Sequence, residues 1–255
     1  MTSQIYDTLL NAKQSRLKKF VVLLDPDKMR LGAMQETLEL AHRYGVDYFF
    51  VGGSLVVNDM LDKVIEQIKQ TTNIPTILFP GNSFQLSQKA DALLFLSLIS
   101  GRNAELLIGK HVVAAPFLKS SDLEIIPTGY MLIDGGITTS VQYMSNTTPI
   151  PSAKKDIAAC TALAGQYLGL KQIYMDAGSG AVNPIPSEMI KSVSNSINIP
   201  LIIGGGITSA QKVYDNYTAG ADIIVVGNAI ESNPGLIKEM ALVKEEFNTK
   251  LQQNH

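Results

Sequence analysis

Cysteine, histidine and long apolar runs are scarce in this chain, and each scarcity excludes a class of protein. Of its 255 residues only Cys160 is a cysteine, so no disulfide can form within the chain. The N-terminal sequence shows no charged segment followed by an apolar leader, and no apolar run reaches the roughly 18 residues that a membrane span needs. We therefore expect a soluble protein in a reducing, cytoplasmic compartment, where any contact with lipid is limited to the protein surface.

The three histidines do not form a cluster. His42 and His111 fall in helix-like segments and His255 ends the sequence, so neither a histidine base nor a zinc site is predicted. Cys160 lies in an alanine-rich helical stretch and is expected in the core. The formal net charge is −2 and charges of both signs are interspersed, which disfavours binding to nucleic acid.

The chain does contain a repeated alternation of apolar runs and helix-like segments. Such alternation is typical of parallel βα units, and 45% apolar residues in a chain of 255 can build the core of one α/β barrel domain spanning residues 1–255. Two smaller domains are the alternative. The eight predicted strands are 20–25, 48–53, 75–80, 92–98, 128–134, 172–177, 201–206 and 222–227.

Helical periodicity is evident between several of these strands. Gly45 and Gly169 end two of the helix-like segments, as left-handed caps do. The segment after Ser83 is short for a full helix, and residues 139–152 are rich in Thr, Ser, Asn and Pro, which predicts an extended loop. The predicted helices include 34–45, 56–70, 153–169 and 234–247.

Glycines end strands seven and eight, where barrels of this kind commonly bind phosphate. Gly204, Gly205 and Gly206 have no Cβ atom, so their backbone N–H groups can approach an oxyanion, and Gly227 and Asn228 could do the same from the next loop. Tight strand-to-helix turns explain either motif alone. Their pairing on adjacent strands favours a phosphate site.

Strand six ends in YMDAGSGA, residues 174–181. Gly178, Ser179 and Gly180 could add donors to the same phosphate site. Asp176 would repel a phosphate, so we expect it to act as a base for, or a hydrogen-bond acceptor from, a substrate hydroxyl. A helix-capping or turn role for Asp176 is the alternative.

Strand one ends in LLDPDK, where Pro26 separates Asp25 and Asp27. Carboxylates at a strand end suit Mg²⁺, which takes one or two of them and completes its shell with phosphate oxygens and water. Ser54 follows the end of strand two and could supply a hydroxyl beside them. An ordinary Asp-Pro turn with Lys28 in solvent is the alternative.

The motifs LLDPDK, VGGS, YMDAGSGA, GGGIT and VGNAIE stand in this order on strands one, two, six, seven and eight. As an ordered set they resemble the geranylgeranylglyceryl phosphate synthase family, PcrB-like prenyltransferases that join sn-glycerol 1-phosphate to a polyprenyl diphosphate in an ether bond. The resemblance covers the whole chain. It implies a modified TIM barrel in which the helix after strand three is replaced or shortened, and an assembly of two or six subunits.

Functional positions of the family can be carried over onto the matching residues. The resemblance implies that Asp25 and Ser54 hold the Mg²⁺ that binds the diphosphate, and that Asp176 contacts the glycerol hydroxyls and takes the proton from the attacking oxygen. The residues that it implies for glycerol 1-phosphate binding are Tyr174, Met175, Asp176, Ala177, Gly178, Ser179, Gly180, Gly205, Gly206, Gly227 and Asn228.

Two positions differ from the family pattern. The acid on strand six is often Glu and is Asp176 here, and one branch carries a lysine where this chain has Leu23. With the AGSG spelling and the chain length, this indicates the branch of archaeal and some bacterial synthases rather than the heptaprenyl-using enzymes. Apolar residues of strands three and four and of segment 112–118 could line a groove for the prenyl chain.

Two other functions fit parts of the pattern. A sugar-phosphate isomerase or lyase would share the glycine motifs of strands seven and eight but would leave LLDPDK and VGGS without a role. A non-catalytic sensor of a phosphorylated metabolite would need neither Asp25 nor Asp176. The absence of a lysine at the end of strand six disfavours a Schiff-base aldolase.

Overall fold

The computed structural model describes residues 4–28, 31–53, 60–82 and 85–253. Eight parallel strands pair in chain order and the last pairs with the first, so the barrel is closed. This confirms the predicted fold, and each predicted strand overlaps an observed one. The strands are β1 Lys19–Leu24, β2 Tyr48–Val51, β3 Thr76–Leu78, β4 Ala92–Leu98, β5 Glu124–Leu132, β6 Gln172–Asp176, β7 Leu201–Gly204 and β8 Ile223–Val226.

Helices follow most strands, and the four predicted helices overlap α2, α3, α6 and α10 of the following set. Gly45 and Gly169 come after α2 and α6 with φ of 69° and 91°, in the left-handed conformation expected of them. The described helices are α1 Gln4–Gln14, α2 Leu31–Arg43, α3 Leu61–Thr71, α4 Lys110–Lys119, α5 Ser140–Ser145, α6 Lys155–Tyr167, α7 Ser187–Ser194, α8 Ala210–Ala219, α9 Asn228–Ser232 and α10 Leu236–Gln252, with a π-helical turn Glu105–Gly109 before α4.

None of the helices in the described part of the chain combines the length and the apolar character needed to cross a bilayer.

Successive strand residues face the barrel interior and the helix layer in turn, because the side-chain period of a strand is two. Side chains that fill the interior include Val21, Phe50, Leu94, Tyr130 and Tyr174. Side chains that pack beneath the helices include Val22, Phe49, Leu93, Met131 and Met175. On β6 this alternation sends Tyr174 and Asp176 inward and Met175 outward.

The N-terminal helix α1 closes the end of the barrel at which the strands begin. The carboxylate of Glu124, the first residue of β5, accepts hydrogen bonds from the backbone N–H groups of Ile5 and Tyr6, each at 2.8 Å. A carboxylate at a helix N-terminus is favourable because it pairs with otherwise unsatisfied N–H groups and the helix dipole. Leu9 of α1 is buried in the interior cluster. The open end of the barrel is therefore the one where the strands finish.

The connection between β3 and β4 departs from the regular βα pattern, as the sequence predicts. Its described residues, 79–82 and 85–91, form turns and extended segments but no helix. No helix in the described part of this connection therefore covers the outward face of β4.

The prediction of an extended loop over 139–152 is wrong in part, because α5 occupies Ser140–Ser145. Asn146 ends this helix in the left-handed conformation, with φ of 48°. Ile150 then pairs with Ile133 at the end of β5. A six-residue helix of Ser, Val, Gln, Tyr and Met has no propensity signal strong enough to reveal it. Its tertiary contacts include Val141, which packs against the interior cluster, and the Ser145 carbonyl, which accepts a hydrogen bond from the Asn103 side chain at 3.2 Å.

Two smaller expectations also fail. Cys160 is exposed rather than buried, because it lies on the outer face of α6 while Ala158 and Ala162 of the same helix are buried. Strand β5 begins at Glu124, four residues before its predicted start. Pro127 lies inside it, and a residue that lacks a donor N–H usually indicates a strand boundary.

Candidate active site

A cavity of about 380 Å³ opens where the strands finish. Its size is within the range typical of small-molecule sites. Polar residues line the part above β1, β6, β7 and β8, which we call the polar end: Asp25, Lys28, Asp176, Ser179, Asn228 and Glu231. Apolar residues of β3, β4 and the α4 region line the part that we call the apolar end: Phe79, Leu93, Leu94, Phe95, Leu106 and Ala114.

The apolar end exists because of the irregular β3–β4 connection. Leu93 and Phe95 alternate with Leu94 on β4, and all three line the cavity although they face opposite sides of the sheet. No helix lies between β3 and β4 in the described residues, so the cavity extends past the rim of the barrel to Ala114 of α4.

Asp176 ends β6 at the polar end and is only 8% exposed. Its Oδ2 accepts a hydrogen bond from the Tyr130 hydroxyl at 2.6 Å, and its Oδ1 accepts one from the Gly178 backbone N–H at 2.7 Å. Burial raises the pKa of Asp176, although both hydrogen bonds act in the opposite direction by favouring the ionised form. The result is a fixed carboxylate that is more basic than an ordinary aspartate.

Glycines in the left-handed conformation surround this carboxylate. Gly178, Gly180, Gly205 and Gly206 have φ between 67° and 87°. A Cβ atom on Gly205 would lie 2.6 Å from Oδ1 of Asp176, closer than atoms can approach. Glycine is therefore required there both by the backbone conformation and by the space. The structure brings these glycines together at the cavity wall, as a phosphate site with backbone donors would need.

Side chains from three loops meet beside the glycines. The Asn228 amide donates to Ser179 Oγ at 2.8 Å. Lys28 Nζ lies 3.4 Å from Asn228 Oδ1 and 3.1 Å from Asp25 Oδ2. These contacts connect the loops that follow β1, β6 and β8.

The side chain of Asp25 is 15% exposed and lies close to Gly53, which follows β2. A Cβ atom on Gly53 would lie 3.2 Å from the Asp25 carboxylate. Asp27 donates its backbone N–H to Asp25 Oδ1 at 3.1 Å and does not line the cavity. The Asp-Pro turn, which was the alternative interpretation of LLDPDK, is thus present. Asp25 nevertheless lines the cavity, so the turn and a binding role of Asp25 do not exclude each other. Ser54 lies outside the described residues.

Glu231, on α9, was not predicted from the sequence as a site residue. Its Oε1 accepts a hydrogen bond from the backbone N–H of Asp25 at 3.3 Å, and it lines the cavity. Burial raises the pKa of Glu231, while Lys28 and the hydrogen bond from the Asp25 N–H group oppose the increase and the charge of the Asp25 carboxylate adds to it. The signal was available, since Glu231 closes the VGNAIE motif of strand eight.

The carboxylate of Asp25 suits a hard cation such as Mg²⁺, which prefers oxygen ligands. Among the residues that the structure describes, no three His, Cys, Asp or Glu side chains lie close enough together to hold a metal ion by themselves. A cation at Asp25 would therefore need substrate oxygens and water to complete its shell, which is how Mg²⁺ is commonly held in phosphate-handling enzymes.

The side chains of Met175 and Ala177 do not reach the cavity. Both are buried in the layer between strands and helices. Only their backbone atoms could contribute to the predicted phosphate site. Tyr174, Gly178, Ser179, Gly180, Gly205, Gly206, Gly227 and Asn228 all line the cavity.

Phe79, Tyr130 and Tyr174 form a cluster of aromatic rings in the cavity wall. Phe79 stacks on Tyr174 with ring centroids 5.1 Å apart, and Tyr130 lies edge-on to Tyr174 at 5.5 Å. Both tyrosines are buried, and burial raises their pKa well above the ordinary value, so they stay neutral. The sequence motifs did not indicate Tyr130.

His111 lines the apolar end. Its Nε2 lies 3.2 Å from the Ser97 hydroxyl, and its ring meets Phe95 edge-on at 4.5 Å. Burial lowers the pKa of His111, which favours the neutral ring. His111 therefore ties α4 to β4 without adding a charge to an apolar wall.

Both the sequence and the fold are similar to those of known proteins. The model of the PcrB family matches residues 13–245. A geranylgeranylglyceryl phosphate synthase of Chitinophaga pinensis is 54% identical over 241 residues, which are 94% of this chain and 96% of that protein. The synthase of the same name from Spirosoma linguale is 52% identical over 245 residues, 96% of this chain and 98% of that protein.

A solved structure agrees with these relatives. The crystal structure of (S)-3-O-geranylgeranylglyceryl phosphate synthase from Thermoplasma acidophilum, in complex with its substrate sn-glycerol-1-phosphate, has a TM-score of 0.89 to this chain. The two are 30% identical, and the match covers 95% of this chain and 98% of that one. By family model, by sequence identity over nearly its whole length and by fold, this chain belongs to the PcrB family.

Proposed function

We propose that this chain is a geranylgeranylglyceryl phosphate synthase. It joins the 3-hydroxyl of sn-glycerol 1-phosphate to geranylgeranyl diphosphate in an ether bond and releases diphosphate, a step of ether-lipid biosynthesis. The observation that carries the proposal is one cavity in which a glycine-lined polar end, with Asp176 and Asp25, continues into an apolar end. The relatives of the PcrB family, which bear this name, support it.

Glycerol 1-phosphate is proposed to bind at the polar end. The backbone N–H groups around Gly178 and Gly205, with Ser179 and Asn228, hold its phosphate. Anchoring the phosphate places the 3-hydroxyl against the second substrate and makes their reaction effectively intramolecular. Asp176 accepts the proton of that hydroxyl as its oxygen attacks, and Tyr130 keeps the carboxylate oriented.

Asp25, with Ser54 as the second position, is proposed to hold Mg²⁺. When bound, the ion would neutralise charge on the diphosphate leaving group. Asp25 reaches the cavity from the end of β1, and the Lys28 ammonium contacts both Asp25 and Asn228. The diphosphate and the phosphate therefore bind on neighbouring loops.

The bond between the allylic carbon and the diphosphate oxygen breaks as the ether bond forms, so positive charge develops on that carbon. Phe79, Tyr130 and Tyr174 line the cavity, and the Tyr130 hydroxyl contacts Asp176, so these electron-rich rings lie near the reacting atoms and can stabilise the charge. The prenyl chain lies along the apolar end, where it also excludes water from the reacting carbon.

The competing functions fit the cavity less well. A sugar phosphate would fill the polar end and leave Leu93, Phe95 and Ala114 facing water, and so would a phosphorylated metabolite bound by a sensor. A heptaprenyl donor would use the same chemistry, and the relatives named for geranylgeranyl transfer favour the shorter chain.

We propose that the enzyme acts in the cytoplasm as a homo-oligomer, a dimer or a hexamer. The exposed thiol of Cys160 fits a reducing compartment. Ile157, Tyr167 and Leu168 of the α6 region are 46%, 78% and 81% exposed, which supports contact between subunits. The mass in solution, measured by light scattering, tests the oligomer.

The activity is tested with purified protein, Mg²⁺, glycerol 1-phosphate and geranylgeranyl diphosphate. Mass spectrometry of the organic extract should find the ether product, and its formation should stop when the metal is chelated. Farnesyl and heptaprenyl diphosphates in parallel reactions test the chain length. A folded protein that makes no ether with any donor would contradict the proposal.

A further inference from the structure

The polar end must accommodate more negative charge than its own side chains can neutralise. Asp25, Asp176 and Glu231 line it, and the proposed reaction adds a phosphate and a diphosphate. Of the basic side chains that line the cavity in the described residues, Lys110 and His111 belong to α4 at the apolar end. Lys28 is the basic side chain that lines the polar end in the described residues; Lys212 does not line the cavity and donates to the Gly206 carbonyl at 3.2 Å.

Lys28 lies between the two proposed anion sites. Its Nζ is 3.1 Å from Asp25 Oδ2, on the side of the diphosphate, and 3.4 Å from Asn228 Oδ1, on the side of the glycerol phosphate. The side chain is 49% exposed, so burial does not fix it in place. An ammonium group on a flexible stem has three donors and can exchange one acceptor for another.

We propose that Lys28 is a binding residue for the diphosphate: its ammonium rests on Asp25 in the free enzyme and moves to a diphosphate oxygen when the prenyl substrate binds. This inference rests on the proposed function. Mg²⁺ and the Lys28 ammonium would repel each other if both were bound to the Asp25 carboxylate. A diphosphate oxygen beside Asp25 offers the ammonium a stronger acceptor.

The contact between the Lys28 ammonium and the diphosphate strengthens during the reaction. As the bond between the allylic carbon and the diphosphate breaks, its electron pair passes to the leaving oxygen, and the negative charge on the diphosphate increases. Lys28 donates a hydrogen bond to that charge. It therefore lowers the barrier by electrostatic stabilisation, without transferring a proton.

The experiment is isothermal titration of inorganic diphosphate, with Mg²⁺ present and both natural substrates absent. Lys28→Gln should weaken diphosphate binding about tenfold or more, since a hydrogen bond between charged groups is lost. Lys28→Arg should restore most of the affinity. Lys110→Gln removes the other cavity-lining lysine and should leave the affinity for diphosphate unchanged. Thermal melts check that every variant is folded.

Steady-state kinetics supply a second measurement. Lys28→Gln should raise the KM for geranylgeranyl diphosphate and lower kcat, because the contact is strongest in the transition state. Unchanged diphosphate binding in Lys28→Gln, with an altered Mg²⁺ affinity alone, would show that Lys28 only neutralises Asp25 and would overturn the proposal. A wild-type protein that forms no ether would contradict the proposed function instead, so the two failures are distinguishable.

Discussion

At the scale of single residues, the chemistry depends on how Asp176 is surrounded. Its two oxygens are each fixed by one donor, the Tyr130 hydroxyl and the Gly178 N–H, and its burial disfavours the charge that the base needs. Burial raises the pKa of Asp176 and the two hydrogen bonds lower it; burial has the larger effect, so the pKa lies above the ordinary value of aspartate.

The first prediction concerns this carboxylate. Asp176→Asn should reduce kcat by about two to four orders of magnitude, the usual contribution of a general base, while inorganic phosphate still binds. In the wild type, kcat/KM should be full above the raised pKa of Asp176 and fall as the pH drops through it. Asp176→Glu is the matched control and should keep part of the turnover. A pH profile without this acidic limb would exclude Asp176 as the base.

Tyr130→Phe keeps the ring and removes only the hydroxyl. Because the hydrogen bond from Tyr130 favours the ionised Asp176, its loss should raise the pKa of Asp176 further and move the acidic limb of kcat/KM to higher pH. We expect kcat to fall about tenfold, as for the loss of one hydrogen bond to a charged group. A lower kcat with an unmoved pH limb would mean that Tyr130 acts only through packing.

At the scale of elements, the loops after β6 and β7 form one unit. The carboxylate at the end of β6 needs a space that the glycines after β7 leave open, and Gly204 does the same for the Tyr174 hydroxyl, 2.5 Å from where its Cβ would be. The two strands are neighbours in the barrel, with Asp176 opposite Gly204. The side chains of Tyr174 and Asp176 on β6 can therefore take these positions only because glycines stand at the end of β7.

Gly205→Ala tests this dependence. Its Cβ atom would meet Asp176 in addition to straining a left-handed backbone, so turnover and phosphate binding should be lost together with about 1–2 kcal/mol or more of stability. Gly169→Ala is the control, because Gly169 has φ of 91° but nothing within 4 Å of its Cβ position. It should lose a similar stability without loss of kcat/KM. Denaturant unfolding and steady-state kinetics separate the two effects.

At the scale of the whole molecule, the barrel separates stability from catalysis along its axis. Glu124 and α1 lie at the end where strands begin, and Asp25 and Asp176 lie where strands finish. This division is general among barrels of this type.

Glu124→Ala should therefore change stability alone. Removing the carboxylate leaves the N–H groups of Ile5 and Tyr6 without their acceptor, at a cost of about 1–2 kcal/mol, in line with helix-cap removal. The midpoint of thermal unfolding should fall, while kcat/KM measured well below it stays at the wild-type value. A matching loss of kcat/KM would show that the two ends are coupled.

Much of the fold and of the candidate site could be predicted from the sequence, because the signals are local. Strand runs such as 92–98 agree with the observed strand to the residue, because a strand buried on both faces must be continuously apolar. The residues at strand ends were likewise accessible, since closure of a parallel barrel brings all those ends to one side. Tyr130 was missed because it acts through Asp176, 46 positions away along the chain. Glu231 lies in the VGNAIE motif, but its contact with Asp25 joins residues 206 positions apart.

The sequence by itself determined the barrel, its eight strands, the family and the irregular connection between β3 and β4, whose described residues contain no helix. Only the tertiary structure decided that Lys28 lies between Asp25 and Asn228, that Met175 faces away from the cavity and that Cys160 is exposed. The reason is physical. Periodicity and turn chemistry are local properties of the chain, whereas a contact between residues 200 positions apart exists only after closure of the barrel has brought them together.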